Sequence, residues 1–178
     1  MLRSKDIPAV FVLLLFSMLL ASCNGAVTPT SGAGEQPIQL TLTTDRDRYL
    51  QGEPITVTLL LTNTGSDELL VNTRMAHNRL DAPTPFRDVT FAIVSPTGTR
   101  VTTQARIDVG FPADGDFMVL AHGDSVERVY SQISGLYAIQ TPGVYSIQAI
   151  YQNQEDPTFG TAWKGEVSSN VATFTLEP

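Results

Sequence analysis

From residue 38 onward apolar and polar side chains alternate with a period of two, and no other pattern in the chain restricts its fold as strongly. Ile38, Leu40 and Leu42 alternate with Gln39, Thr41 and Thr43; Ile55, Val57, Leu59 and Leu61 alternate with Thr56, Thr58 and Thr62, broken only at Leu60. Successive side chains of an extended strand point to opposite faces, so this spacing predicts strands buried on one face and wet on the other. The same rule holds for Leu69 to Asn72, Val89-Phe91-Ile93, Val101 to Arg106, Phe117 to Leu120, Val126 to Ser131, Tyr145-Ile147-Ala149-Tyr151 and Ala172-Phe174-Leu176. Turn signals divide these runs, notably Gln51-Gly52, Thr64-Gly65-Ser66-Asp67, Ser95-Pro96-Thr97-Gly98, His122-Gly123-Asp124 and Pro142-Gly143. No stretch of helical length keeps an i, i+3, i+4, i+7 stripe, so little or no helix is expected there. About nine short, evenly punctuated strands predict an all-β, two-sheet antiparallel sandwich.

The first 22 residues do not share this pattern. Arg3 and Lys5 precede an apolar run from Ile7 to Ala21, interrupted only by Pro8 and Ser17. That run is shorter than the roughly 20 residues that cross a bilayer, and it reads as the hydrophobic region of a signal peptide. Leu20-Ala21-Ser22-Cys23 follows and resembles the lipobox of bacterial lipoproteins. The resemblance implies cleavage before Cys23, lipidation of its thiol and an extracytoplasmic location: outer membrane and periplasm, or the cell surface, according to envelope type. Several acyl chains hold a protein where one binds only reversibly, each buried methylene adding about 0.8 kcal/mol. In that family the Asn24 that follows the cysteine is compatible with export to an outer membrane.

Cys23 is the sole cysteine. The sandwich must therefore hold without a disulfide, which a domain of this size can do because it buries about 68–70% of its unfolded surface. Residues 23–37 contain Gly25, Pro29, Gly32, Gly34 and Pro37 among Ser, Thr and Ala, and read as a lipidated flexible tether. Three segments result: a signal peptide over 1–22, the tether over 23–37 and one domain over 38–178. The formal net charge of −7, with 16% of residues charged, disfavours nucleic-acid binding.

Two stretches resemble known families. Thr44-Asp45-Arg46-Asp47-Arg48-Tyr49-Leu50-Gln51-Gly52-Glu53-Pro54-Ile55-Thr56-Val57, running on to Asn63-Thr64-Gly65, is similar to the first strand pair of bacterial immunoglobulin-like domains, including the BsuPI-type proteinase-inhibitor and macroglobulin-like families. Pro142-Gly143-Val144-Tyr145-Ser146-Ile147 resembles the tyrosine corner of immunoglobulin-like sandwiches, in which the phenol bonds to backbone a few residues upstream. Ile147 stands where antibody domains place a disulfide cysteine. These resemblances imply an immunoglobulin-like sandwich; the first also implies proteinase inhibition as an alternative function.

A search for chemistry yields little. His77 and His122, the only histidines, sit in no Gly-x-Ser-x-Gly elbow and read as loop residues. Asp108, Asp114, Asp116 and Asp124 supply hard oxygen ligands but lack the spacing and ligand count of a calcium loop, and solvated turn aspartates are the ordinary explanation. No enzyme, cofactor or metal site is expected. Two long connections are more informative. Thr73 to Asp88 carries Arg74, Arg79 and Arg87, either a surface for an anionic ligand or partner, or arginines paired with local aspartates. Gln152 to Ser169 carries Phe159, Trp163 and Lys164, either contact anchors or, for Trp163, a cap that folds back on one open end of the sandwich or part of a short extra strand. The expected function is non-enzymatic binding of a protein or ligand by a membrane-anchored module. Proteinase inhibition and a structural role through an exposed strand edge are the alternatives.

Overall fold

The computed structural model describes residues 36–78, 88–104 and 110–178. The expected signal peptide, Cys23, most of the tether, Arg79, Arg87 and Asp108 lie outside the described residues. Ten strands run in chain order among those described: β1 (Ile38–Thr44), β2 (Arg48–Leu50), β3 (Val57–Asn63), β4 (Leu69–Asn72), β5 (Asp88–Val94), β6 (Phe117–Leu120), β7 (Ser125–Tyr130), β8 (Gly143–Asn153), β9 (Gly165–Ser168) and β10 (Ala172–Glu177).

The alternation seen in the sequence sets the two inner faces. Ile38, Leu40 and Leu42 of β1 lie opposite Asn63, Leu61 and Leu59 of β3, and all six are buried. β7 pairs antiparallel with the other edge of β3, from Val57↔Tyr130 to Thr62↔Ser125. In the second sheet β8 is central: β5 runs antiparallel along one edge, from Asp88↔Gln152 to Val94↔Ser146. Its other edge is shared by β10 beside Gly143 to Ile147 and β9 beside Ile150 to Asn153. β2 joins β10 in parallel. The orders β1-β3-β7 and β2-β10-β8-β5 are those of an immunoglobulin-like Greek key, so the domain is an all-β sandwich without a disulfide.

Aromatic rings fill the space between the sheets. Phe91 of β5 meets Tyr130 of β7 edge to face at 5.1 Å, and Phe174 stacks on Tyr145 at 5.4 Å while taking Tyr49 edge-on at 5.6 Å. The tyrosine-corner contact is present: the Tyr145 hydroxyl donates to the Thr141 carbonyl at 2.9 Å and accepts from the Thr141 N–H at 3.1 Å. Gly143, at φ +134°, is needed beside it, because a Cβ there would lie 2.7 Å from Pro96. The Tyr49 hydroxyl donates to Asp45 at 2.5 Å, and burial together with that carboxylate pushes the phenol up to about 12.

Several sequence expectations change. Val101 to Arg106 does not form a strand over its described residues; isolated pairings join Val94 to Arg100 and Thr103 to Tyr137, while residues 105 and 106 are outside the description. The second strand begins at Val57, not Ile55, because the Ile55 N–H bonds to the Ser134 hydroxyl instead of a neighbouring strand. The short strands β2 and β9 are additional. A single helical turn, α1 (Ile133–Leu136), buries Ile133 beneath the start of β3, where its N–H bonds to the Ile55 carbonyl. β4 and β6 form a separate antiparallel ribbon that extends β3 and β7 beyond Asn63. Asn63 is fully buried at this junction and its amide donates to the carbonyls of Asp67 at 2.8 Å and Leu120 at 2.9 Å.

Candidate functional site

Three connections meet where β8 ends: residues 154–164, the β4–β6 ribbon, and the segment from Gly110 to the 3₁₀ turn Asp114–Asp116. The buried Asn153, last residue of β8, closes the base of the first by donating to the carbonyls of Glu155 at 2.9 Å and Trp163 at 2.8 Å. Asp156 braces the middle. One carboxylate oxygen accepts the Ala162 N–H at 2.9 Å and the other the Lys164 ammonium at 2.5 Å. The Lys164 bond and the Ala162 N–H hold the Asp156 carboxyl below its ordinary value.

Trp163 turns inward. Its indole stacks on Tyr151 at 5.9 Å with 17° between planes, and the Trp163 backbone N–H bonds to the Leu70 carbonyl at 2.7 Å. Gly165 must be glycine under it: at φ +157° a Cβ would approach the indole to 2.8 Å. Trp163 therefore packs against the core as the expected cap would, and it lies outside the short strand β9, which begins at Gly165. Lys164 points to Asp156 and braces the same loop.

Phe159 is placed differently. It is 61% exposed at the tip, next to Gly160, where a Cβ would lie 3.2 Å from the Leu70 side chain. Thr158 secures the tip to the 3₁₀ turn through both its N–H, at 2.8 Å, and its hydroxyl, which bond to the Asp114 carboxylate. Those bonds hold the Asp114 carboxyl below its ordinary value. Leu70 pairs with Val119 across the ribbon, and Val119 and its neighbour Met118 are each 53% exposed. This end of the sandwich thus presents Phe159, Met118 and Val119 on a loop and ribbon held by internal bonds. The sequence singled out Phe159 but not Met118 or Val119, which lie in the uniformly apolar run Phe117 to Leu120; their exposure comes with their place on a two-stranded ribbon.

Arg74 belongs to a structural joint with Asp88. Arg74 donates through Nε at 3.1 Å and through Nη2 to Oδ2 of Asp88, and Nη2 also reaches the Gly110 carbonyl at 3.3 Å. Asn72 donates to the other Asp88 oxygen at 2.7 Å, and the Tyr151 hydroxyl donates to the Asn72 carbonyl at 2.8 Å. The Asp88 side chain is wholly buried. Burial raises its carboxyl above the ordinary value, outweighing the Arg74 and Asn72 bonds that act to lower it. Asp88 at φ +59° and Met75 at φ +45° are the left-handed non-glycine residues among those described, and the Met75 carbonyl accepts from the Tyr130 hydroxyl at 2.5 Å. Arg74 is thus paired with a local aspartate, the second of its expected roles.

The remaining candidates also have local partners. His77, expected in a loop, pairs with Val89 beside β5 and packs against Phe91 and Tyr137. Its Nε2 lies 2.9 Å from the Tyr137 hydroxyl, and burial pushes the imidazole down to about 4. His122 contacts the Gly65 carbonyl at 2.7 Å in an exposed turn. Asp116 accepts the Ala113 N–H at 2.8 Å and Asp124 the Ala121 N–H at 3.1 Å, as turn aspartates do. Among the described residues no group of three or more His, Cys, Asp or Glu is arranged to hold a metal ion.

The sequence matches no protein-family model and no curated protein. Among solved structures, an alkylpurine DNA glycosylase (AlkC) of Pseudomonas fluorescens bound to DNA containing an abasic site analog is similar at 14% identity and a TM-score of 0.39. The match covers 82% of this chain and 32% of that one, so the chain spans about a third of that enzyme's length.

Proposed function

We propose that the chain is an extracytoplasmic lipoprotein, held to a membrane through lipid on Cys23, whose sandwich binds a protein or ligand without catalysing a reaction. The observation that carries the binding role is the exposure of Phe159 on a loop braced at Asn153, Asp156 and Thr158. An exposed aromatic side chain that is already fixed in place loses little conformational freedom on contact, which is the physics of an interface anchor. Val119, opposite Leu70 on the ribbon, adds an exposed apolar side chain at the same end of the sandwich.

The same bracing supports a second reading, proteinase inhibition, since an inhibitory loop must hold its shape in a protease cleft. Purified full-length chain titrated against serine, cysteine and metalloproteases separates the two: stoichiometric inhibition lost in Phe159→Ala favours the inhibitor. For the binding role, recovery of the same partner from envelope extracts by wild type and Phe159→Ala at equal yield would remove this loop from contention. For the anchor, Cys23→Ala should abolish labelling by a fatty-acid probe, and unchanged labelling would refute it.

A further inference from the structure

The outer edge of β1 has a strand's hydrogen-bonding groups and no strand beside it among the described residues. Its register with β3, together with the Asp45 N–H bonded to the Thr56 carbonyl, turns the backbone groups of odd-numbered residues toward β3. Those of Ile38, Leu40 and Leu42 therefore point the other way. At Leu42 this is visible directly, because the Asn170 side chain supplies what a neighbouring strand would. Its Oδ1 accepts the Leu42 N–H at 2.8 Å and its Nδ2 donates to the Leu42 carbonyl at 3.0 Å. From there toward Gln36 a groove of about 410 Å³ opens, with Ile38 and Leu40 on one wall and Val167, Ser168 and Ser169 on the other.

We infer that this groove receives one extended, uncharged peptide segment of a partner protein, which adds a strand to β1 at Ile38 and Leu40. Three features define that occupant. Every residue lining the groove is uncharged, so a charged side chain entering it would lose water without gaining a counter-ion. The row of outward backbone groups at Ile38 and Leu40 on the β1 edge matches an extended main chain and no other regular conformation. The space between β1 and the wall of Val167 to Ser169 is about 410 Å³, small enough to suit one short extended segment, whereas edge pairing with a second copy would bring a whole sheet against that wall. Asn170 fixes the register by ending the open edge at Leu42. This site is separate from the Phe159 loop and does not depend on it.

The test uses ¹⁵N-labelled full-length chain in detergent micelles and an acetylated, amidated heptapeptide of alternating valine and threonine. The expected result is saturable shifts at the amides of Ile38, Leu40 and residues 167–170, with a Kd below about 1 mM. A lysine-for-threonine version of the peptide should bind at least about tenfold more weakly. Asn170→Ala frees the Leu42 groups and should tighten binding by about three- to tenfold, since up to two further hydrogen bonds form. Should that variant not fold, Ser168→Arg places a charge in the groove from an exposed position and should abolish the shifts, while Phe159→Ala should leave them unchanged. The inference is overturned if the peptide moves no groove amide at millimolar concentration, if Ser168→Arg binds like wild type, or if the Leu40 amide is protected in a concentration-dependent dimer.

Discussion

The indole of Trp163 lies nearly parallel to the ring of Tyr151, 5.9 Å away, four residues beyond Phe159, which points into solvent. The two aromatic residues of one loop therefore divide its work: one holds the loop on the sandwich and the other is displayed by it. Trp163→Ala should lose about 2 kcal/mol, less than for a fully buried ring because the indole is only half-buried. Phe159→Ala should change stability by no more than about 0.5 kcal/mol. Urea unfolding of the two variants side by side checks the division, and equal losses would contradict it.

Arg74 neutralises a carboxylate that has no access to water. Arg74→Ala leaves Asp88 charged and buried, and should cost about 3–5 kcal/mol at pH 7. Because burial already raises the Asp88 carboxyl, and loss of Arg74 raises it further, the folded variant takes up a proton more readily than the unfolded chain. Its deficit relative to wild type should therefore shrink as pH falls from 7 toward 4.5. Unfolding midpoints at both pH values read this directly; a deficit that grows on acidification would exclude the pair as the cause.

His77 acts in the opposite direction. Its imidazole has a value of about 4 in the folded protein and 6.5 as its ordinary value, so the unfolded chain binds the proton first. Its contribution is complete above about pH 6.5 and is lost as pH falls toward 4, at about 1–2 kcal/mol once its partial exposure is discounted. His77→Phe should flatten the stability profile over that window relative to wild type. A profile that keeps its full slope would assign the acid sensitivity to other groups.

Tyr145→Phe keeps the stack on Phe174 and removes both bonds to Thr141. It should cost about 1–2 kcal/mol in urea unfolding. A smaller loss would mean that water replaces the hydroxyl at no net cost.

How much of this was legible in the sequence depended on whether local pattern or chain topology decides each feature. β1, β3, β8 and β10 could be read because one face of each is buried along its length and the other is not, and β5 could be read from Val89-Phe91-Ile93 although both of its faces are buried over Asp88 to Phe91. β2 buries only Tyr49, and β9 buries no residue fully, so neither carries an alternation to read. Val101 to Arg106 has the composition of a strand, yet Val101 is only partly buried beside the core, its N–H bonds to the Ile93 carbonyl, and Thr102 and Gln104 bond to the turn at Leu136 and Ala138. Asp88 and Arg74 lie 14 residues apart, and nothing local indicates that β5 starts with a buried carboxylate waiting for that guanidinium. Trp163 was ambiguous for the same reason. Its stacking partner, Tyr151, lies on the preceding strand, and only the return of the chain at Gly165 makes the two adjacent.

The most direct test of the binding role is a photo-reactive amino acid placed at position 159 of the full-length chain, expressed in a bacterial envelope, with position 129 as control. Val129 is 51% exposed on β7, so both positions are open to solvent. The proposed role predicts a discrete cross-linked product from position 159 that position 129 does not give and that Cys23→Ala diminishes. Identical products from the two positions, or none from 159, would contradict it.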